Sequence, residues 1–541
     1  MNTSDTKNSP KRLDSTYTVS QAIVNYYLVI MFTVFPLFFT DAYFNIRHDK
    51  YYFFLVLSLF AVVAVGIIVL TPKLSRYIEK TNSQAEYNIS SSLWYKRFSF
   101  TDWAVIAFWI VNFLSTIFSR YINDSLFGTA GRNNGLLLIT FYAAVYFLIT
   151  RSFKFKDYIF IAFAAGSSLV FLLSVLNCFY IDPLGMFKQL ELNNDSQSII
   201  NFTSTIGNKN LMSSFICIAL PVMIAMSVYE NRRALSVLYY TASALGFTAL
   251  MTADSDSGIL GIGVFLAIFL IWYSTKLRNL KRYFLNITVM LASAKILRLF
   301  SLLFSDKTKG LDAFQEFFVF SNSSYLLLAA VALITVVLFV IDFKKPNLKI
   351  SKAVPITIGV IFALGVVSIL SAVFYFSVID TKTDLNGLET ILRFNEKWGT
   401  HRGYMWIKSM QIFSDASLSE KLIGTGPDTF YYAFSPYFQG LMEYGDSSTN
   451  AAHNEYINYL ITIGILGLAS YVAIVGGCIV RAVKYFAKNP ILAVTASAVI
   501  CYSIQAVVNI SQPITTPLFF IFIALCEAFC RNTANEQQKG T

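Results

Sequence analysis

Residues 401–413 read HRGYMWIKSMQIF, residues 422–434 read LIGTGPDTFYYAF, and residues 451–467 read AAHNEYINYLITIGILG. The first two pieces mix polar and aromatic residues, and the third passes from AAHNEY into an almost uncharged run within a few positions. His401 and His453, two of the chain's three histidines, lie here. A polar stretch that hands over to an apolar helix sets reactive side chains at a membrane–water boundary, where ionisable groups are expensive and mark function. Outward from this segment, the chain reads as hydrocarbon-facing scaffold.

The composition supports that reading. Of 541 residues, 55% are hydrophobic and only 13% charged, with a mean hydropathy of +0.57. Soluble domains carry roughly 25% charged residues. Repeated apolar runs of about 20 residues identify helical spans, and the alternating ten-residue strands of a membrane barrel are absent from the sequence. The expected fold is an all-α polytopic membrane protein with about fourteen transmembrane helices and one long external loop containing short helices. A net charge of +11 fits the positive-inside bias of such a protein better than a nucleic-acid partner. The six cysteines fall in or beside apolar runs without metal-ligand spacing, so neither a disulfide framework nor a zinc site is expected. No phosphate-binding lysine loop or dinucleotide fingerprint occurs, so no soluble cofactor is expected.

Read in order, a cytoplasmic polar tail (1–20) precedes eleven spans within 21–379, a long external loop (380–452), three spans within 453–530 and a cytoplasmic tail (531–541). The twelfth span is expected at 456–480 as one helix. The ninth, 283–304, carries Lys295 and Arg298 and is read as a span, with an interfacial helix as the alternative. Lys and Arg concentrate on the connectors that share a side with both termini, which assigns that side to the cytoplasm. A loop as long as 380–452 usually carries function. Inside it, Trp406, Met410 and Phe413 recur at helical spacing, predicting an amphipathic helix that the GTGPDTF turn stops.

Several residues are chemical candidates. His453 can take a proton from a hydroxyl near neutral pH, or serve as a polar residue at a helix start. Glu455 beside it can orient donors or be solvated. Arg402 presents a planar fork suited to phosphate oxygens, or to a surface ion pair. His401 is its neighbour and reads as solvent-exposed. Arg132, in GTAGRNNG, has glycines around it that let amides approach an anion, though tight turns need the same residues. Lys209, in TIGNKN, is a second phosphate contact or an interfacial anchor. Asp254 and Asp256, in TADSDSG, line a cavity or cap the following span rather than hold a metal, and no metal site is expected. Trp406 joins the substrate-binding candidates, and Trp398, Tyr404, Tyr431, Tyr432 and Tyr437 can stack on sugars or pack the loop.

In sum, GRNNG, GNKN, TADSDSG, RGYMW, LIGTGPDTF and AHNEYINYLITIGILGL occur in this order over residues 120–480, and the chain thereby resembles the bacterial O-antigen ligase and polysaccharide polymerase superfamily. The last three pieces are the specific part. The resemblance implies a membrane glycosyltransferase that moves a glycan from a polyprenyl-diphosphate carrier to an acceptor hydroxyl at the outer face of the cytoplasmic membrane, without metal. It implies that Arg402 holds the donor diphosphate and that His453 activates the acceptor, whether lipid, glycan or wall polymer. The family's Ser-Arg pair is replaced here by Ser-Asp at Asp256, so either Arg132 or Lys209 supplies the second cation or this member handles its donor differently. A lipid-linked glycan flippase or polysaccharide transporter is the rival reading; such proteins usually show internal repeats or mid-membrane charges, whereas here the polar density lies at the outer ends of spans and in one long loop.

Overall fold

Inside hydrocarbon an apolar run can satisfy its backbone only by closing its hydrogen bonds on itself, so this sequence must fold as helices. The computed structural model describes residues 9–41, 44–81, 98–129, 131–188, 196–346, 348–385 and 387–540. The first helices are α1 (Ser9–Leu37), α2 (Ile46–Thr81), α3 (Phe100–Ile117), α4 (Ile122–Phe127), α5 (Leu136–Ser152), α6 (Tyr158–Cys178) and α7 (Ser196–Asn201). The middle of the chain holds α8 (Lys209–Tyr229), α9 (Arg233–Ala253), α10 (Asp256–Tyr273), α11 (Leu277–Leu303), α12 (Ala313–Val319), α13 (Ser323–Lys344) and α14 (Ala353–Phe374). The long loop contains α15 (Glu389–Leu392), α16 (Trp398–Asp415), α17 (Leu418–Ile423), α18 (Phe430–Phe434) and α19 (Phe438–Met442). The chain closes with α20 (Glu455–Thr462), α21 (Gly464–Tyr485), α22 (Ile491–Gln505) and α23 (Thr516–Gly540). Two-residue strands, Phe202–Thr203 and Gly207–Asn208, pair antiparallel before α8.

Among the described residues, 13 helices are long and apolar enough to cross a membrane, and α5 is a shorter apolar helix of 17 residues. These account for every expected span. Helix α8 is the axis of the bundle: its apolar window is wholly buried, between α9, α10 and α22. At the other extreme, α13 and α14 bury almost nothing and face outward with apolar side chains all round, as lipid-facing helices do.

The expected ninth span is helical over its whole length, and the Lys295 ammonium donates to the carbonyls of Phe318 (2.8 Å) and Val319 (3.2 Å) at the end of α12. Those carbonyls lack intrahelical partners, which is why a lysine is tolerated there. At the end opposite the long loop, buried Asp102 pairs with Arg151 and Arg531, while buried Glu527 pairs with Arg481 (2.7 Å) and Arg531 (3.0 Å). That network ties α3, α5, α21 and α23 together.

The expected twelfth span is not one helix. It breaks between α20 and α21, where Gly464 takes φ +68°. A Cβ there would stand 2.4 Å from backbone atoms of Leu422, and one at Gly424 would stand 2.2 Å from Thr462. The two glycines therefore interlock. The carbonyls freed by the break are met by the loop: Thr425 and Gly426 amides donate to Ile461 (3.2 Å) and Thr462 (2.8 Å), and the Ser115 hydroxyl also reaches Thr462. Broken helices are tolerated at membrane depth only where protein answers the freed groups in this way.

The amphipathic loop helix exists as α16, with two departures from expectation. Its buried face centres on Tyr404, Met405 and Ser409, while Met410 is 47% exposed. The reason is that Tyr404 and Met405 pack into a local core with Phe430, Phe434, Leu441 and Ile461, which rotates the helix away from the face its own periodicity suggested. Nor does GTGPDTF stop it. Ser417 and Glu420 form a capping box that starts α17 first, and the turn follows that helix.

Candidate functional site

His453 sits just before α20 with φ 49°, a backbone conformation rare for a residue with a side chain. The flanking chain holds it there. The Arg132 guanidinium donates to the Asn450 carbonyl (2.8 Å), the Trp406 indole to that of Ala452 (3.0 Å), and the Asn454 side chain accepts from the Tyr456 and Ile457 amides as the cap of α20. The helix thus starts two residues after the histidine rather than at it. The imidazole itself has no hydrogen-bond partner among the described residues. It forms part of the wall of two cavities, one of about 450 Å³ on the loop side and one of about 360 Å³ on the bundle side. Burial, then the charges of Arg402 and Arg132, pull its pKa down to about 4. It is neutral at pH 7, and hence able to accept a proton.

Arg402 is presented by an unusual turn. Gly399, Thr400 and His401 are successively left-handed, and the regular part of α16 follows. Left-handed residues cost roughly 1–2 kcal/mol each outside glycine, so packing must hold this turn. Gly403 lies so close beneath it that a Cβ would stand 1.8 Å from the Asn395 carbonyl oxygen. His401 stacks on Tyr444 at 4.5 Å, half-buried rather than solvent-exposed. The Arg402 guanidinium makes no hydrogen bond or ion pair with the described residues. Burial lowers its pKa, Asp256 at the start of α10 opposing. A largely enclosed, unpaired guanidinium is an anion site in waiting.

Arg132 is different. It is buried, and its Nε lies 3.0 Å from Oδ1 of Asp428, itself buried. The other Asp428 oxygen accepts from the Thr129 and Asn134 amides (2.8 and 3.1 Å). The GRNNG turn is therefore cinched to the GTGPD turn by a buried ion pair. Lys209 also has partners, Asp254 at 3.4 Å and Asp312 at 3.9 Å. Its neighbours Asn208 and Asn210 line the bundle-side cavity instead, with Asn208 capping α8.

Glu455, expected near substrate, points into the bundle. It is buried, accepts from the Tyr502 hydroxyl at 3.3 Å, and has no hydrogen bond at its second oxygen among the described residues. The turn explains this: His453 is left-handed before the helix and Asn454 caps it, so Glu455, the first helical residue, is directed separately from the histidine. Trp406 acts as a strut behind the histidine rather than as a cavity wall. Of the aromatic candidates, Tyr431 and Tyr432 line the loop-side cavity, whereas Tyr404 is buried with its hydroxyl on the Tyr437 carbonyl and Trp398 packs on Trp406.

Arg47 is a site residue for which no role was read from the sequence. It lines the bundle-side cavity with His453. The available signal was its position, a basic residue on a short connector expected to be external, against the usual bias. Asp428 went unread as well, because nothing local to GTGPD reveals a partner so far away in the chain.

Residues 316–472 match the family model described as O-Antigen ligase, Wzy_C. The match begins in α12 and ends in α21, and so contains Arg402, Asp428 and His453. It supports the O-antigen ligase and polymerase superfamily, membrane glycosyltransferases of the bacterial inner membrane, as the group this multi-pass protein resembles. No curated protein matches the chain.

Proposed function

From an O-antigen ligase-type domain built around a neutral histidine and an unpaired arginine, we propose that this chain is a membrane glycosyltransferase. It moves a glycan from a polyprenyl-diphosphate carrier to an acceptor hydroxyl at the outer face of the cytoplasmic membrane, with both termini cytoplasmic and the 380–452 loop external. The observation that carries the reading is His453: a base with no protein partner that opens on two cavities at once. A transfer between two substrates needs such a group.

In the reaction, His453 takes the proton of the acceptor hydroxyl, the oxygen bonds to the anomeric carbon, and the bond from that carbon to the diphosphate oxygen breaks. The electron pair leaves with the diphosphate. Arg402 answers the charge that develops there, in a site where few waters compete, so its electrostatic contribution is large. Arg47, in the wall of the bundle-side cavity, is the further cation offered to the diphosphate, in the place expected for Arg132 or Lys209. Apolar walls such as Phe44, Ile46 and Leu211 suit the same cavity to the lipid end of the donor. Arg132, Trp406 and Asn454 are positioning residues for His453.

The test is reconstitution of the purified full chain with a polyprenyl-diphosphate-linked oligosaccharide and an acceptor. Free polyprenyl diphosphate is expected to accumulate, and Arg402→Lys, which keeps the charge but loses the fork, is expected to slow release by about tenfold. Equal rates for Arg402→Lys, Arg402→Ala and the unmodified chain would remove Arg402 from the reaction.

The pH dependence is a separate expectation. A general base works in its neutral form, and the pKa of His453 is depressed, so that form persists well below pH 6.5. kcat/KM should stay flat from about pH 8 to about 5.5 and fall only towards pH 4. An acid limb centred near pH 6.5, the ordinary histidine value, would show that another group or environment governs the step.

A further inference from the structure

The two cavities that meet at His453 differ in the charged side chains that line them. The bundle-side cavity carries Arg47 among apolar walls. No described residue lining the loop-side cavity is a lysine or arginine, and its one ionised side chain is a carboxylate, Asp446. Asp446 stands exposed at the rim, and its carboxylate has no ion pair or hydrogen bond with the described residues. Arg132 lies behind the wall, paired with Asp428 at 3.0 Å. A second carboxylate, Asp124, accepts the Tyr432 hydroxyl at 2.5 Å. The Tyr432 ring is further fixed by stacking on Tyr121 at 3.8 Å, with 8° between planes.

A rigid aromatic face, serine and asparagine side chains, and one unpaired carboxylate are the groups that recognise a polyhydroxylated ring. They repel an anion. Resting on the transferase reading above, we propose that the loop-side cavity is the acceptor-sugar subsite, and that Asp446 makes it select a neutral or amine-bearing sugar over an anionic one. The donor, whose diphosphate needs cations, then occupies the bundle side.

The experiment compares two acceptors that differ in one group, an oligosaccharide ending in a neutral hexose and the same oligosaccharide ending in the corresponding uronic acid. It uses the full chain in lipid nanodiscs with a polyprenyl-diphosphate-linked donor. A full charge felt across several ångströms of water-filled cavity predicts a preference of about fivefold in kcat/KM for the neutral acceptor. In Asp446→Lys that preference should invert, and in Asp446→Asn it should shrink, while KM for the donor stays where it was. An unchanged preference in Asp446→Lys, or an unmodified chain that favours the uronate, overturns the proposal. So does a change in donor KM without one in acceptor KM. If the unmodified chain releases no diphosphate with either acceptor, the transferase reading fails first. Saturation-transfer NMR with the two free oligosaccharides then decides the subsite on its own: preferential binding of the neutral one, lost in Asp446→Lys, supports it, and equal or absent binding sinks it.

Discussion

His453→Ala is expected to reduce glycan transfer by about 10²–10⁴-fold, the usual range for loss of a general base. The loss should fall on kcat, with little change in KM for the donor, because the imidazole has its effect when the hydroxyl proton moves. The variant should also fold normally: the side chain has no protein hydrogen bond to lose, and the chain on both sides is anchored by Arg132, Trp406 and Asn454. A positive φ makes the alanine slightly unfavourable at this position, but the wild-type histidine bears the same cost. Glycan transfer measured in the reconstituted system, beside thermal unfolding in detergent, separates the two effects. Transfer retained within a few-fold would dismiss His453 as the base. His401→Ala serves as the comparison, since that ring is stacked on Tyr444 and is expected to matter for the turn that presents Arg402 rather than for proton transfer.

Arg132→Ala should act on stability first. Removing it leaves the Asp428 carboxylate buried without its cation, and breaking a buried pair from one side costs about 3–5 kcal/mol. The same change releases the Asn450 carbonyl, so the loop that carries His453 loses an anchor. A marked drop in thermal midpoint is therefore expected, together with lower activity. Arg132→Met combined with Asp428→Asn should regain much of the lost stability, because no unpaired charge remains. If instead Arg132→Ala leaves the midpoint in place and raises only the KM for the donor, Arg132 is a diphosphate contact, as its glycine-rich surroundings first suggested.

The contrast between these two arginines shows what could be read in advance. Helical class and the number and approximate position of the spans follow from composition and periodicity, which are local properties. His453 was readable as a candidate because it sits where the polar loop meets an apolar helix, and Arg402 because it opens the amphipathic loop helix. Arg132 and Lys209 were equally visible as cations, yet their meaning depended on carboxylates elsewhere. Arg47 looked unremarkable beside them. Glu455 was legible as a polar neighbour of His453, but not the direction in which it leaves the helix.

Sequence alone determined that the chain must be a helical membrane protein, because only helices satisfy so apolar a backbone without water, and it singled out one long loop with a histidine at its end. Tertiary structure alone decided which charges remain available. The Arg132–Asn450 contact spans 318 positions, and no periodicity encodes a pairing at that distance. The same holds for the break at Gly464: a helix can stop there only because the loop at Thr425 and Gly426 returns to take its open carbonyls.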